Sequence, residues 1–491
     1  MLGLETDVLI VGGGVVGSAI ARELSKYHIK LTLIEKEADI AFGGPTKANT
    51  GIIHAGYDDE PGTIEAKLCV RGNMLWSAVA SELAIPFKRS GSFVVALEDS
   101  DIKVLETLKQ QGSLNVVPDL EILEGTNLFR MEPNLSKDAV AGLFAPSAGI
   151  ISPYEAAIAL AENARENGVQ ILLETEAVGI TTVNGKVKTV QTDKGNINAS
   201  CIVNAAGLFA DKISSMVGIS DFLITPRKGE YLIYDNTLGE LVKHPLFPVP
   251  TPISKGILVS PTVDGNIVVG PNACDIEDKG DTTTTSCGIE EILRGAYRLV
   301  PGLEEKLNLV ISSFAGLRPE PSTGEFIIKD YEEVEGFINV AGIKSPGLTS
   351  APTIAETVAS FINTKNILKL RSDFNPERKP LIHPLRDACI GNATELMTGD
   401  SSYGHVVCRC ERVTEGEIVE ALRRGAGTLD GIKYRTRAGM GRCQGGFCTP
   451  HVIGIVSREL NIPVEEVTKK GRDSRILRYS SKELLSDEKD V

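Results

Sequence analysis

The run Gly12-Gly-Gly14-Val-Val-Gly17 lies between a short β-branched stretch, Asp7 to Val11, and a segment from Ser18 to Leu24 with Ala19, Ile20 and Leu24 at helical spacing. Strand, glycine turn and helix in that order form the signature of a phosphate-cradling βαβ unit. Gly12 permits the tight turn, Gly14 lets the backbone approach a pyrophosphate, and Gly17 lets the helix pack closely on the sheet. The first N–H groups of the helix then face the phosphates, with the positive end of the helix dipole behind them. A second strand, Leu31 to Ile34, leads into Glu35, 18 residues beyond Gly17. Its carboxylate suits ribose hydroxyls and would repel a 2′-phosphate. Gly12, Gly14, Gly17 and Glu35 therefore predict a dinucleotide on a Rossmann-like α/β fold.

Two later segments return to the same pattern. Cys201-Ile-Val-Asn-Ala-Ala206-Gly207 reads as a strand ending in small residues, and Gly336-Phe-Ile-Asn-Val-Ala-Gly342-Ile-Lys-Ser345 as a strand running into a glycine turn. Three returns to one site predict a discontinuous domain built around FAD, since an NAD-only fold needs just the first. With 491 residues, 42% of them hydrophobic, the chain can fill two or three domains. A net charge of −14 argues against nucleic acid and against a basic membrane-binding surface. There is no apolar run long enough to span a membrane and no basic, cleavable N-terminal leader, so a cytoplasmic location is expected. Thiols stay reduced there. Of the nine cysteines, Cys69, Cys201, Cys274, Cys287 and Cys389 are scattered and read as ordinary thiols.

The other four are grouped. Cys408-Arg-Cys410 is followed after 32 residues by Cys443-Gln-Gly-Gly-Phe-Cys448. Two close pairs of thiolates can hold an iron–sulfur cluster or a zinc ion. Beside a flavin, a redox-inert zinc would do little, whereas a [2Fe-2S] cluster would take electrons one at a time. Around these cysteines the helix signals are local. Thr414-Glu-Gly-Glu417 is a capping box opening a helix with Ile418, Ala421 and Leu422 on one face and a stop at Gly425. Thr428 caps a second short helix, and Thr449-Pro450 opens a third. A module this small is expected to lean on its metal for stability. Before it, a charged stretch with Pro376, Pro380 and Pro384 shows no sustained periodicity and reads as a linker.

Between the nucleotide motifs, Asn49-Thr50-Gly51-Ile-Ile-His54-Ala-Gly56 is a loop of small residues that could approach a flavin ring. Oxidising a secondary alcohol needs a base for the hydroxyl proton, and histidine has the suitable pKa. A histidine that merely bonds the backbone is the competing reading. This loop, with Pro61-Gly-Thr-Ile-Glu-Ala-Lys67-Leu-Cys-Val-Arg71-Gly after it, resembles L-2-hydroxyglutarate dehydrogenases and soluble glycerol-3-phosphate oxidases, within the D-amino-acid-oxidase-like FAD superfamily. The resemblance covers roughly the first 365 residues. It implies an antiparallel-sheet substrate domain beside the FAD domain and His54 as catalytic acid/base. Ser254-Lys255-Gly256 and Asp264 to Gly270 look like the hairpin that supplies a substrate-facing lysine, Lys255. Gly316-Leu-Arg318-Pro319 looks like the motif whose arginine binds the substrate's anionic group; for Arg318, Lys255 and Lys344 alike, a surface ion pair is the competing reading. Ala341-Gly342-Ile-Lys344-Ser345-Pro-Gly347-Leu348 looks like the closing segment near the flavin. The resemblance thus implies Thr50, Gly51, Ala206, Gly207, Gly342, Lys344, Gly347 and Leu348 as cofactor contacts, with Lys344 adding charge toward an anion.

The cysteine segment, with Arg435-Thr-Arg-Ala-Gly-Met-Gly-Arg before Cys443, closely resembles the C-terminal domain of anaerobic glycerol-3-phosphate dehydrogenase catalytic subunits. It is similar as well to bacterioferritin-associated ferredoxin. Cys408, Cys410, Cys443 and Cys448 are thereby implied as [2Fe-2S] ligands, although the last pair is spaced more widely than in the minimal ferredoxin. The expected organisation is FAD-binding at roughly 1–85, 150–220 and 325–365, substrate-binding at roughly 86–149 and 221–324, a linker at 366–402, a small helical iron–sulfur module at 403–460 and a tail at 461–491. The expected activity is oxidation of sn-glycerol 3-phosphate, with electrons passing to a partner redox subunit or soluble carrier. L-2-hydroxyglutarate, a related hydroxy or amino acid, and a non-catalytic electron-transfer subunit are the alternatives.

Overall fold

The computed structural model describes residues 2–250, 255–363, 368–379 and 384–479. Ser254, parts of the expected linker (366–367 and 380–383) and the end of the expected tail (480–491) lie outside the described residues. The chain forms two compact units. One gathers the chain up to Lys36 with Gly43–Arg378; the other gathers Glu37–Phe42 with the chain from Lys379 onward.

The first unit opens with β1 (Leu2–Val11), α1 (Val15–Leu24) and β2 (Leu31–Ile34). Leu9 and Ile10 on β1 and Leu33 and Ile34 on β2 are essentially inaccessible, so the strands are apolar on both faces, as a parallel sheet between covering layers requires. β1 pairs in parallel with β2 on one side and with Gly195–Asn204 on the other, and Gly195–Asn204 pairs in parallel with Phe337–Ala341. In these registers Val11, Ile34, Asn204 and Asn339 line up at the carboxyl ends of four strands, where open α/β sheets bind their ligands. The three sequence returns are therefore adjacent strands of one eight-stranded sheet.

A nine-stranded sheet is the second large sheet of the unit. Its strands lie between Ser92 and Ala145 and between Ile224 and Pro321, and all but one of its pairings are antiparallel. Leu258–Pro261 and Ile267–Gly270 form the hairpin read from sequence, turning at Asp264-Gly265. The long strands Ile224–Tyr234 and Val310–Pro321 run side by side with Arg227 opposite Arg318. A small sheet joins β3 (Ile52–Ile53) to Gly149–Ile151 and Phe87–Lys88. It holds the base of the His54 loop, which leads into α2 (Ile64–Glu82). The single tryptophan, Trp76, lies fully buried on α2 and donates its indole N–H to the Leu348 and Thr349 carbonyls at 3.1 Å, tying that helix to Gly347–Ile362.

The second unit contains the helices Glu415–Arg423, Leu429–Thr436 and Thr449–Leu460. The Thr414 hydroxyl accepts from the Glu417 N–H, and the Glu417 carboxylate accepts from the Thr414 N–H at 2.6 Å, completing the capping box. Ile418, Leu422, Ile432, Val452 and Val456 pack into a core that also takes in Cys408 and Cys448. The module thus has an aliphatic core of its own, more than its length suggested. Residues 37–42 belong to this unit through a buried ion pair, in which Arg435 donates to both Asp39 carboxylate oxygens, one at 2.9 Å.

The stretch read as a linker is more structured than its composition implied. At its start, Arg378 pairs with Glu162 at 2.8 Å inside the first unit, and the Asn375 carbonyl accepts from Asn163 and Asn167. Further on, Ile390–Gly399 is a helix in which no residue is buried. A helix without a buried face leaves no apolar periodicity to read.

Candidate active site and cysteine centre

The nucleotide motif folds as its glycines demand. Gly12 has φ 115°, and a Cβ there would drive into the Ala205 carbonyl oxygen; one at Gly17 would strike the Gly12 carbonyl oxygen. Both positions are closed to any side chain, which brings the Ala205-Ala206-Gly207 turn against the first turn. Gly14 caps α1 with no side-chain bond, and the first turn of α1 has no acid, so its N–H groups are left open to an anion apart from Val15, which donates to Thr46 Oγ1 at 3.1 Å. Glu35 accepts from the Gly13 N–H at 2.6 Å, which fixes its carboxylate at the mouth of this turn. The chemistry and crowding of these residues fit a dinucleotide. A buried polar set that sequence reading missed supports the turn: Asn204 Nδ2 donates to Asn339 Oδ1 at 2.8 Å and to the Ala210 carbonyl, and the Ser214 hydroxyl donates to Asn339.

His54 follows β3 directly. Its N–H donates to Thr349 Oγ1 at 2.9 Å, and its carbonyl accepts from Asn73 Nδ2 at 2.8 Å, so the backbone on both sides of the ring is pinned. The imidazole Nε2 lies 3.4 Å from Ser345 Oγ. Burial, and then the nearby Lys255 ammonium, lower the His54 pKa to about 4, against a weaker opposing pull from Asp58. The ring is therefore neutral at ordinary pH and able to accept a proton. Thr50 and Gly51 form the approach to this loop; Ile151 N–H donates to the Gly51 carbonyl at 2.8 Å. Gly347 and Leu348 begin the helix whose Thr349 holds His54.

Arg318 is half-buried on its strand. Its guanidinium donates to the Asn272 carbonyl at 2.9 Å and, more weakly, to those of Arg227 and Lys228 at 3.4 Å. Carbonyls fix its orientation without cancelling its charge. Two residues before it, Gly316 packs against the Ala48 carbonyl, so the strand reaches the chain just ahead of the His54 loop. The two lysines are placed differently. Lys344 pairs with Glu320 at 3.1 Å, and Lys255 pairs with Asp58. Although 41% of the Lys255 side chain is exposed, its ammonium is not. Each lysine thus meets a carboxylate that the motif reading had not singled out, while among the described residues the Arg318 hydrogen bonds run to backbone carbonyls, with the Asp275 carboxylate within electrostatic reach.

In the second unit the four clustered thiols fall into two hydrogen-bonded pairs, Cys408 with Cys448 and Cys410 with Cys443. The Cys448 thiol holds the Cys408 pKa down to about 6, while Cys448 is pushed up in return. Burial opposes ionisation of Cys443, yet the backbone N–H groups of Phe447 and Gly445 and the Cys410 thiol bring it below its usual value. Among the described residues no three ligating side chains converge on one single-ion position. Four thiols in two pairs, met by backbone N–H groups, fit the four-cysteine ligand set of a [2Fe-2S] cluster. All nine cysteines are free of disulfides.

Fold and sites together define a flavin-dependent oxidoreductase with an appended iron–sulfur module. The chain belongs to the FAD dependent oxidoreductase family (DAO), which matches residues 7–361, and its C-terminal region matches the BFD-like [2Fe-2S] binding domain over residues 406–458. It is 46% identical over 476 residues to glycerol 3-phosphate dehydrogenase of Caloramator mitchellensis, covering 96% of this chain and 98% of the relative. It is 28% identical to L-2-hydroxyglutarate dehydrogenase of Escherichia coli (strain K12), over 76% of this chain and 96% of that one. The solved structure of L-alpha-glycerophosphate oxidase from Mycoplasma pneumoniae, with FAD bound, is 35% identical and superposes with a TM-score of 0.72, covering 76% of this chain and 98% of that one. FAD and a [2Fe-2S] cluster are accordingly the cofactors of this chain.

Proposed function

We propose that this chain oxidises sn-glycerol 3-phosphate to dihydroxyacetone phosphate. The observation that carries the reading is a neutral, pinned imidazole at His54 in the same unit as Arg318, whose bonds to carbonyls leave its charge for an anion. The near full-length match to a glycerol 3-phosphate dehydrogenase supports the choice of substrate. His54 Nε2 takes the proton of the secondary hydroxyl, which takes up the position at this nitrogen that Ser345 Oγ now faces from 3.4 Å. Arg318 offers a planar fork to the phosphate, a bidentate contact that a lysine cannot make.

FAD supplies the acceptor for the hydrogen and electron pair that leave the carbinol carbon, and the [2Fe-2S] cluster supplies one-electron chemistry. Gly12, Gly14, Gly17 and Glu35 hold the dinucleotide. Thr50, Gly51, Ala206, Gly207, Gly342, Lys344, Gly347 and Leu348 line the rest of the cofactor's path, and Cys408, Cys410, Cys443 and Cys448 hold the cluster. The final electron acceptor is external, either a partner redox subunit or a soluble carrier. Among the described residues no helix is long and apolar enough to cross a membrane, so a membrane-bound acceptor is reached through a partner. Nine free cysteines fit a cytoplasmic setting.

Anaerobic titration of the purified holoenzyme tests this reading. sn-Glycerol 3-phosphate should bleach the flavin absorbance, while L-2-hydroxyglutarate, L-lactate and proline leave it intact. Bleaching by L-2-hydroxyglutarate alone would move the assignment to that substrate. No bleaching by any of them would leave an electron-transfer subunit.

A further inference from the structure

We infer that Asp58 is a positioning residue of this active site: its carboxylate anchors the Lys255 ammonium beside His54 and, through that ion pair, sets how readily His54 accepts a proton. The inference rests on the reading of His54 as the base.

His54 and Asp58 leave the same short loop, four positions apart, and that loop is held along its length. Besides the bonds at His54 itself, Asn115 Nδ2 donates to the Gly56 carbonyl at 2.9 Å and to the Asp59 carbonyl at 2.7 Å. Lys255 arrives from a distant part of the chain, and its buried ammonium meets the Asp58 carboxylate. A buried ammonium is stable only when paired.

The pairing has a consequence for the base. When His54 takes a proton it becomes a second cation beside Lys255, which low-dielectric surroundings oppose strongly. The Asp58 carboxylate offsets that repulsion. The groups facing one another here are His54, Tyr57, Lys255, Asp58, Asp59, Glu65 and the Cys69 thiol. Lys255 acts to lower the His54 pKa and Asp58 to raise it. Asp59, next along the chain, is raised to about 6 by burial and then by the Asp58 charge, so Asp58 is the carboxylate that stays ionised against Lys255.

Asp58→Asn in the holoenzyme tests the inference by anaerobic stopped-flow reduction of the flavin with sn-glycerol 3-phosphate. With Lys255 uncompensated, the imidazolium is disfavoured. The limiting rate should fall by about tenfold or more, on the scale of one pKa unit, with little change in substrate half-saturation. The acid limb of the rate profile should move to lower pH. Asp58→Glu should return the limb toward wild type. In a Lys255→Met background, Asp58→Asn should cost clearly less than tenfold, because the part of its effect that runs through the lysine is gone and only its direct pull on His54 remains. A wild-type rate and profile in Asp58→Asn, or an undiminished loss in the Lys255→Met background, would overturn the inference. If Asp58→Asn alone sheds FAD, comparing Lys255→Met with the charge-neutral double variant decides the question in the same way. Failure of the function reading itself looks different: no bleaching of the wild-type flavin by this substrate.

Discussion

The proposed active site draws His54, Lys255, Arg318 and Thr349 from four widely separated stretches, whereas the proposed cluster ligands Cys408, Cys410, Cys443 and Cys448 all lie within residues 408–448. The first arrangement depends on the cores beneath it: Phe93, Leu232, Val269 and Ile292 behind the nine-stranded sheet, and Leu9, Val190, Ile202 and Phe337 around the eight-stranded one, which is mixed. The second depends on its own turns and on the metal they hold. A site assembled over long range tolerates loss of one polar side chain without losing its cofactor. A local metal site loses its ligand set at the first substitution.

The sharpest break between the two regions should come from Cys443→Ser. Iron should be lost from the protein and turnover with the physiological acceptor abolished, while sn-glycerol 3-phosphate still bleaches the flavin. The thermal transition of the second unit should move down and that of the first stay in place. Full acceptor turnover in an iron-free variant would mean the cluster is not needed for electron exit. His54→Asn is the mirror experiment. Flavin reduction should slow by about 10²- to 10⁴-fold, the scale of a general base, with both cofactors retained by absorbance and iron assay. An unchanged rate would place the base elsewhere.

A smaller effect is expected from Arg318→Met. Charge-assisted hydrogen bonds are worth about 1.5–3 kcal/mol, so substrate half-saturation should rise by roughly tenfold to a hundredfold with the cluster untouched. Unaltered half-saturation would show that the phosphate is held by the lysines instead. The smallest effect concerns pH. His54 is lowered from 6.5 to about 4 in the folded protein, so flavin reduction should stay level through neutrality and fall only as pH approaches about 4. The sign for stability follows from linkage. The unfolded imidazole binds its proton first, so the contribution of His54 is complete above 6.5 and is lost as pH drops toward about 4. An acid limb near the ordinary histidine value would show that the ring is more solvated than its surroundings imply.

Much of the fold was legible because its signals are local. The glycine turn, the Thr414–Glu417 capping box and the Asp264-Gly265 hairpin each report on a few neighbouring residues whose backbone has one workable conformation. His54 and Arg318 could be picked out by residue type within recognisable motifs. Asp58 and Glu320 could not, although Asp58-Asp59 directly after Tyr57 was a visible oddity, two adjacent acids at the end of a loop of small and apolar residues. Their roles depend on Lys255 and Lys344 arriving from elsewhere in the fold. The helix Ile390–Gly399 escaped for the opposite reason: it buries nothing, so its sequence carries no stripe.

From the chain alone came the dinucleotide turn, the flavin class, the cysteine centre and the choice of an anionic alcohol, because each rests on short motifs that can be recognised one at a time even where they lie far apart in sequence. Only the folded molecule decided which cations are already paired, that Asn204 and Asn339 lock the strand ends, and that Asp39 is claimed by Arg435 in the second unit. Charge pairing and burial are properties of three-dimensional neighbours, and a linear pattern records a neighbour only when the backbone itself brings it near.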